Sequence, residues 1–485
     1  MPGGASVLRS RPTGVRRHSA RDPTMPDPIR VGPIVGEVTA TTARVVVQAD
    51  RSASLRLRLV PAGNHASFET EPQELAAGDL AVFELRDLMP LHRYQFTVLA
   101  DRVPVADRSG RITTKSERPE SLQVAAVSCN FTVRQGRARL WERLWDKWVG
   151  PGTIETVLHI GDQVYADTAF EQALAEIEAN GRSAAVARRI RAGFERLYRA
   201  AWNYPATRKV LANASNLMIW DDHEFRNSWG GLAEDRVADS DAMFVGQIAR
   251  SVSQGFQSAL WGEVVDRKHD AHAHAYGELG FVFLDQRSAR SFAPCPQRPY
   301  LGAEQWQWLR HELHQGKLSK VRALMVIASV PVCFVGTTIA SNFDWAMSDL
   351  RDQWSHVDHR TEMIEMLTEL RRWLAASPHR TVMLLGGDVH VGGLSRIEFR
   401  DGDAWRHLCD QLITSPITNA PPGAIAGFGL RELVLRGTKE AGPTYRFDHL
   451  EDRFTNRRNF ALVRLRARDG EKAQVFGSLE IDADD

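Results

Sequence analysis

The sequence predicts an α/β body preceded by an antiparallel β-sandwich, and three observations predict it. Between Ile29 and about Thr114, short segments alternate apolar and polar residues, with turn residues between them. That is the pattern of half-buried strands. From Leu122 onward, continuous apolar runs alternate with helical stretches, which indicates layered strands and helices. Five of those runs then empty into Asp, His, Cys or Arg, at the strand ends where α/β proteins gather their chemistry.

The whole chain sets the bounds. A length of 485 residues exceeds what one core supports, so two or three domains are expected. Formal net charge is +1, which argues against an electrostatic nucleic-acid binder and leaves small anionic substrates open. No apolar run is long enough to span a bilayer. Cys129, Cys295, Cys333 and Cys409 show neither metal-ribbon spacing nor a dense disulfide pattern, which favours free thiols in a reducing compartment. Residues 1–28 read as a disordered extension, with Met25 as an alternative start. No apolar core follows Arg16-Arg17, so a cytoplasmic location is expected.

Residues 29–115 form the expected sandwich, with strand candidates V-G-E-V-T-A, A-R-V-V-V-Q-A, S-L-R-L-R-L-V, A-V-F-E-L and Y-Q-F-T-V-L-A. The piece L-M-P-L-H-R-Y-Q-F-T-V resembles the corner of fibronectin type III domains. Nothing in this region carries a catalytic constellation, so a packing or positioning role is expected. Lys115 to Ser121 reads as a linker, and 120–427 as the catalytic body. Helices are expected over Arg137–Trp148, Phe170–Ala201, Gly302–His314 and Asp358–Ala375. The arginines spread around Ala184–Tyr198 suggest a solvated surface. Residues 428–485 return to short β segments, E-L-V-L-R among them, and are expected to extend a sheet or to cap the body, as a C-terminal extension packed on it.

The five strand ends carry the chemistry. Leu122–Val127 runs into Ser128-Cys129-Asn130, and I-E-T-V-L-H-I runs into Gly161-Asp162 and then Tyr165. Asn216–Trp220 runs into Asp221-Asp222-His223-Glu224, Gly280–Leu284 into Asp285-Gln286-Arg287, and Thr381–Leu385 into Gly386-Gly387-Asp388-Val389-His390. Phosphoester cleavage by metals needs cations about 3.5–4 Å apart that share a ligand. Asp162 suits the bridging place, because a carboxylate has two oxygens and the preceding glycine permits close approach. Asp388 and His390 sit two apart and reach one centre if the loop leaves the β pattern at once. His223 suits a proton donor or an electrostatic partner. Arg287 offers the planar fork that matches phosphoryl oxygens.

Each piece alone has an ordinary reading: a Gly-Asp turn, an acidic helix start, a surface arginine, a small buried cysteine. Their joint placement after successive strands favours one hydrolytic metal site. His272 and His274 alternate along one strand face and are expected to be structural.

The pieces V-S-C-N (127–130), H-I-G-D-Q-V-Y-A-D (159–167), W-D-D-H-E-F-R-N (220–227), L-D-Q-R-S-A-R (284–290), L-G-A-E-Q-W-Q-W-L (301–309), D-Q-W-S-H-V-D-H-R (352–360), L-L-G-G-D-V-H (384–390) and L-I-T-S-P-I-T-N (412–419) occur in order. Together they resemble the PhoD-like alkaline phosphatases, metallophosphoesterases with an N-terminal β-sandwich, from Val31 onward. The resemblance implies a four-layer sandwich of two mixed sheets flanked by helices. It also implies a ferric ion held by Cys129, Asp162, Tyr165 and His390. A second ion, calcium or another divalent, would be bridged by Asp162 and completed by Asp388 with Asp222 or Asn227. Ser228 stands where the family commonly has a second Asn. The implied activity is hydrolysis of small phosphate mono- or diesters by a metal-bound hydroxide, as in alkaline phosphatase D-like phosphomonoesterases and phosphodiesterases. The competing expectations are a non-catalytic binding protein with a degenerate hydrolase body, and a hydrolase of another ester or anhydride.

Overall fold

The computed structural model describes residues 27–63, 65–131, 138–262, 268–292, 298–343 and 348–483. The expected extension 1–28 falls almost wholly outside the described residues, as does Cys295.

Strands Ile29–Val38, Ala43–Ala49 and Leu80–Leu85 form an antiparallel three-stranded sheet. A second sheet is built from Ala53–Pro61, Arg93–Ala100 and Val103–Thr113, with two short strands against the first of these. Leu55, Leu57 and Leu59 point inward while Arg58 and Val60 face water, as a period of two demands. Both sheets feed one core that includes Val35, Val45, Val47, Leu57, Phe83, Tyr94, Phe96 and Ile112. The Tyr94 hydroxyl accepts the Met89 N–H at 2.8 Å, closing the corner read from the sequence. Val103–Thr113 was not anticipated, because V-P-V-A-D-R-S-G-R-I-T lacks alternation. Its Arg108 is buried and donates to the carbonyls of Gly32 and Ile29, so a charged residue serves there as an internal strut.

The body contains two mixed sheets. The five-stranded one runs Ser215–Ile219, Thr156–Ile160, Ser121–Val127, Asn459–Arg466, Gln474–Ile481, with the first three parallel. The eight-stranded one has Leu279–Leu284, Ala323–Ala328, Thr381–Gly386 and Ala404–Ile413 as its parallel centre. One core cluster takes Ala126, Leu158 and Ile160 from the first sheet and Phe281, Phe283, Met325, Ile327 and Leu385 from the second. Another joins Val282, Leu324, Val326 and Leu384 to helices Ala303–His314 and Arg360–Ala375 through Trp306, Leu309, Met363, Leu367 and Leu370.

Several elements differ from the sequence expectation. The helix expected over Phe170–Ala201 is two helices, Asp167–Asn180 and Ala184–Trp202. Gly181 breaks it at φ 66°, and the Ser183 side chain restarts it by accepting the Val186 N–H. Val186, Ile190, Phe194 and Tyr198 form the buried stripe of the second helix, which leaves the arginines on its other faces. E-L-V-L-R is helical, not a strand, because it closes the run Ala424–Leu435, which is long enough for three turns. The C-terminal region extends both sheets, one of the two arrangements expected for it. Asn459–Arg466 pairs antiparallel with Ser121–Val127 inside the five-stranded sheet, while Lys439–Ala441 and Tyr445–His449 extend the eight-stranded one.

His272 and His274 are both buried and hydrogen-bond to each other at 2.7 Å. His274 reaches Glu37 of the sandwich at 2.6 Å, and His272 reaches the Met218 carbonyl at 2.9 Å. They pin the sandwich to the body. Among the described residues, no helix is long and apolar enough to cross a membrane.

Candidate metal centre

Parallel pairing sends the carboxyl ends of Ser121–Val127, Thr156–Ile160 and Ser215–Ile219 to one edge, and those of Leu279–Leu284, Ala323–Ala328 and Thr381–Gly386 likewise. The two edges meet. Cys129 Sγ lies 3.4 Å from Asp162 Oδ2 and 3.6 Å from the Asp388 carbonyl on the other sheet. Tyr165 Oη sits 3.2 Å from Asp162 Oδ2 and 3.5 Å from His390 Nε2. Ser415 Oγ approaches Cys129 Sγ at 3.0 Å, and Asn419 Nδ2 lies 3.4 Å from His390 Nε2.

The backbone is bent to bring this about. Cys129 (φ 54°), Asp162 (φ 56°), Asp388 (φ 60°) and His390 (φ 54°) all adopt the left-handed conformation. Each costs on the order of 1 kcal/mol or more for a residue with a Cβ, and such strain clusters at working sites. Gly161 is also at positive φ (98°), and a Cβ there would in addition lie 2.6 Å from Asp221 Cβ. The two loops touch.

Carboxyl oxygens of Asp162, Asp221, Asp222 and Asp388 lie within 4.8 Å of one another, and Asp162, Asp222 and His223 form a second such group. Asp162 and Asp222 belong to both. The Oδ1 of Asp162 and the Oδ2 of Asp221 are buried without a hydrogen-bond partner. Orphaned anionic oxygens at this spacing fit a cation, which would satisfy them and offset their mutual repulsion. Burial, followed by the neighbouring acids, pushes Asp162 and Asp388 well above the usual carboxylate range. Burial and then Asp162 and Asp388 do the same to the Cys129 thiol. Burial also lifts Asp222, but Arg287, His223 and Arg290 outweigh it and hold this group down at about 2.

Arg287 is fully buried. Its Nε pairs with Asp221, its Nη1 lies 2.8 Å from Asp352 Oδ2, and its Nη2 is 3.4 Å from Asp222 Oδ1. Arg290 Nη1 lies 2.8 Å from the other Asp352 oxygen. The guanidinium expected to meet phosphoryl oxygens is therefore engaged by three carboxylates and acts as their counter-ion. His223 places Nδ1 2.8 Å from Asp167 Oδ2 and lays its ring 4.2 Å from that of Tyr165. Burial opposes its charge, but Asp222, Asp162 and Asp167 raise it well above its ordinary value. Burial and then the charge of His223 push His390 down to about 4, which leaves it neutral and able to bind a metal. Asn227 is exposed, and its backbone N–H donates to Asp167 at 2.8 Å, whereas Asp222 stands inside the carboxylate group.

Sequence reasoning singled out Cys129, Asp162, Tyr165, Asp222, His223, Arg287, Asp388 and His390, and the structure brings these together. It missed Asp221 as part of the carboxylate group, Asp352 as the anion holding both arginines, and Ser329, whose Oγ lies 2.9 Å from Asp221 Oδ1. Asp221 and Asp352 were visible inside motifs; Ser329 follows a strand that was not anticipated.

A thiol, a phenol, imidazoles and four carboxylates at the strand ends of a two-sheet α/β body define a candidate metal centre of the hydrolase kind. The sequence profile of the PhoD-like phosphatases matches residues 124–471, and the chain belongs to that family. A solved structure of PhoD shares the fold, with a TM-score of 0.66 at 13% identity over 95% of this chain and 92% of that one. The sensor domain of the anti-sigma factor RsgI4 in Pseudobacteroides cellulosolvens matches 18% of this chain and 74% of its own length at 18% identity, with a TM-score of 0.16 that carries no argument. No curated protein sequence matches the chain.

Proposed function

We propose that the chain is a metal-dependent phosphoesterase acting on small phosphate mono- or diesters. Family membership supports a phosphatase. The observation that carries the reading is Asp162, which with Asp222 belongs to both groups and alone of the two keeps a buried oxygen unpartnered. The fold we infer is the four-layer sandwich with a fibronectin-III-like domain ahead of it.

In this reading Cys129, Asp162, Tyr165 and His390 hold one ion, for which a thiolate and a phenolate together favour Fe(III). Asp162, Asp222 and Asp388 hold the second, where hard oxygen donors suit Ca(II). Bound there, the cations would supply an activated water and neutralise phosphoryl charge. His223 keeps its Nδ1 proton on Asp167, which leaves Nε2 to protonate the departing oxygen. Arg287 holds Asp221 and Asp222 in place from behind. Asn227 stays at the rim.

The test is metal analysis of protein prepared without chelator, together with assays on bis-p-nitrophenyl phosphate and the mono-ester. Turnover of at least one is expected, with a visible charge-transfer band from Tyr165. A metal-replete sample that turns over neither ends the reading. A colourless, iron-free, active enzyme overturns only the ferric assignment.

A further inference from the structure

We propose that Glu224 is a positioning residue, a clasp that binds the Gly161–Gln163 loop to the Asp221–Glu224 turn and so sets the place of Asp162. The inference rests on the metal-centre reading above and deepens it. Glu224 is buried, 1% exposed. Its Oε2 accepts the backbone N–H of Asp221 at 2.9 Å and of Asp162 at 3.1 Å. Its Oε1 accepts the backbone N–H of Gln163 at 2.8 Å and the side-chain amide of Gln257 at 3.0 Å. Four donors surround one carboxylate, and three of them are main-chain groups of the two acid-bearing loops.

The chemistry of the clasp is specific. An ionised carboxylate accepts at both oxygens, whereas an amide of the same shape turns one end into a donor. Glutamine at this position would therefore set two donors face to face at a pair of main-chain N–H groups or at Gln163 and Gln257. Hydrogen bonds to a charged acceptor are also the stronger kind. What they hold is strained: Asp162 keeps its left-handed backbone with its N–H on Glu224 and its carbonyl accepting the Asn130 N–H at 2.8 Å. Without the clasp, Asp162 loses one of the two main-chain bonds that keep its carboxylate aimed at Asp222 and Asp388. Glu224 itself touches no reacting atom, so its effect passes through Asp162 and Asp221.

Groups that orient metal ligands in this way change metal affinity by about 10–100-fold when altered. The experiment compares wild type, E224Q and L57A, the last a core truncation in the sandwich. Equilibrium dialysis with Ca(II) reads affinity, and hydrogen exchange of peptides covering 161–166 reads the loop. E224Q is expected to bind Ca(II) about 10–100-fold more weakly and to lose protection at the Asp162 and Gln163 amides. L57A is expected to lose stability with unchanged Ca(II) affinity, which separates positioning from general destabilisation. Wild-type affinity or intact protection in E224Q overturns the proposal, as does an equal loss of affinity in L57A. If wild type itself binds no cation, the functional reading fails, while the exchange comparison still decides the clasp. Should E224Q not fold, Q257L removes one donor and leaves the Glu224 carboxyl group in place. Faster exchange at 162–163 with weaker Ca(II) binding then supports the clasp, and no change in either overturns it.

Discussion

The sandwich and the strand-end pole of the body are built from the same material and resolve it in opposite ways. Apart from Arg108 and Arg111, which are buried in the strand Val103–Thr113, the sandwich sends charge outward by alternation: Arg58 faces water, and Arg51 pairs with Asp101 at the surface. At the pole, Asp162, Asp221, Asp222, Arg287, Arg290 and Asp352 are all buried. The first arrangement lets apolar burial hold the fold with little electrostatic consequence. The second places charges where a missing partner is expensive, and it repays that cost only if the acids serve a cation. The contrast teaches that one chain can carry a region optimised for packing beside one whose stability has been given over to chemistry.

The comparison breaks most sharply at Asp162. D162N is expected to lower kcat/KM by about a thousandfold or more, since in the proposed reading it removes the shared ligand. Folding stability of the metal-free protein should hold or rise, because one of four crowded acids is gone. Parallel kinetics and denaturant titration check both. R287M leaves Asp221 without its counter-ion, takes one cation from Asp222 and one of two arginines from Asp352, and should cost about 3–5 kcal/mol in urea unfolding. L57A, in the opposite region, should cost about 2–5 kcal/mol through a cavity alone, with kcat/KM per folded molecule unchanged.

Acid sharpens the comparison further. Burial pushes His159 and His449 down to about 4, from an ordinary value of 6.5. Each group is neutral in the fold while its unfolded counterpart takes up a proton, so their stability is present above pH 6.5 and lost as pH falls through about 4. For His159 the swing is roughly 3 kcal/mol, and H159Q should flatten that part of a stability-against-pH curve. The smallest effect belongs to Arg51 and Asp101: a double-mutant cycle there should give about 0–1 kcal/mol.

Much of this was legible because strand ends announce themselves. Cys129, Asp162 and Asp388 each follow a parallel strand that is mostly apolar in the sequence. Their convergence was legible only as a pattern, since nothing local to Cys129 says that Asp388 from the other sheet will sit beside it. Arg287 shows the limit. A planar cation after a strand reads as a phosphate binder, yet three acids from separate segments claim it. The polar strand Val103–Thr113 and the helix over E-L-V-L-R were hidden for a related reason, because tertiary neighbours decided them against weak local pattern.

The strand Asn459–Arg466 has a consequence for how the molecule is made. It completes the middle of a sheet begun by Ser121–Val127, with Ala461 opposite Ala126. A ribosome delivers the sandwich long before it, and that unit can close while synthesis continues. The central sheet must wait with one flank open until Asn459–Arg466 has left the tunnel. Chains released before that point would expose the unpaired flank, marking them for chaperones and proteases before the acids of the two sheets could come together.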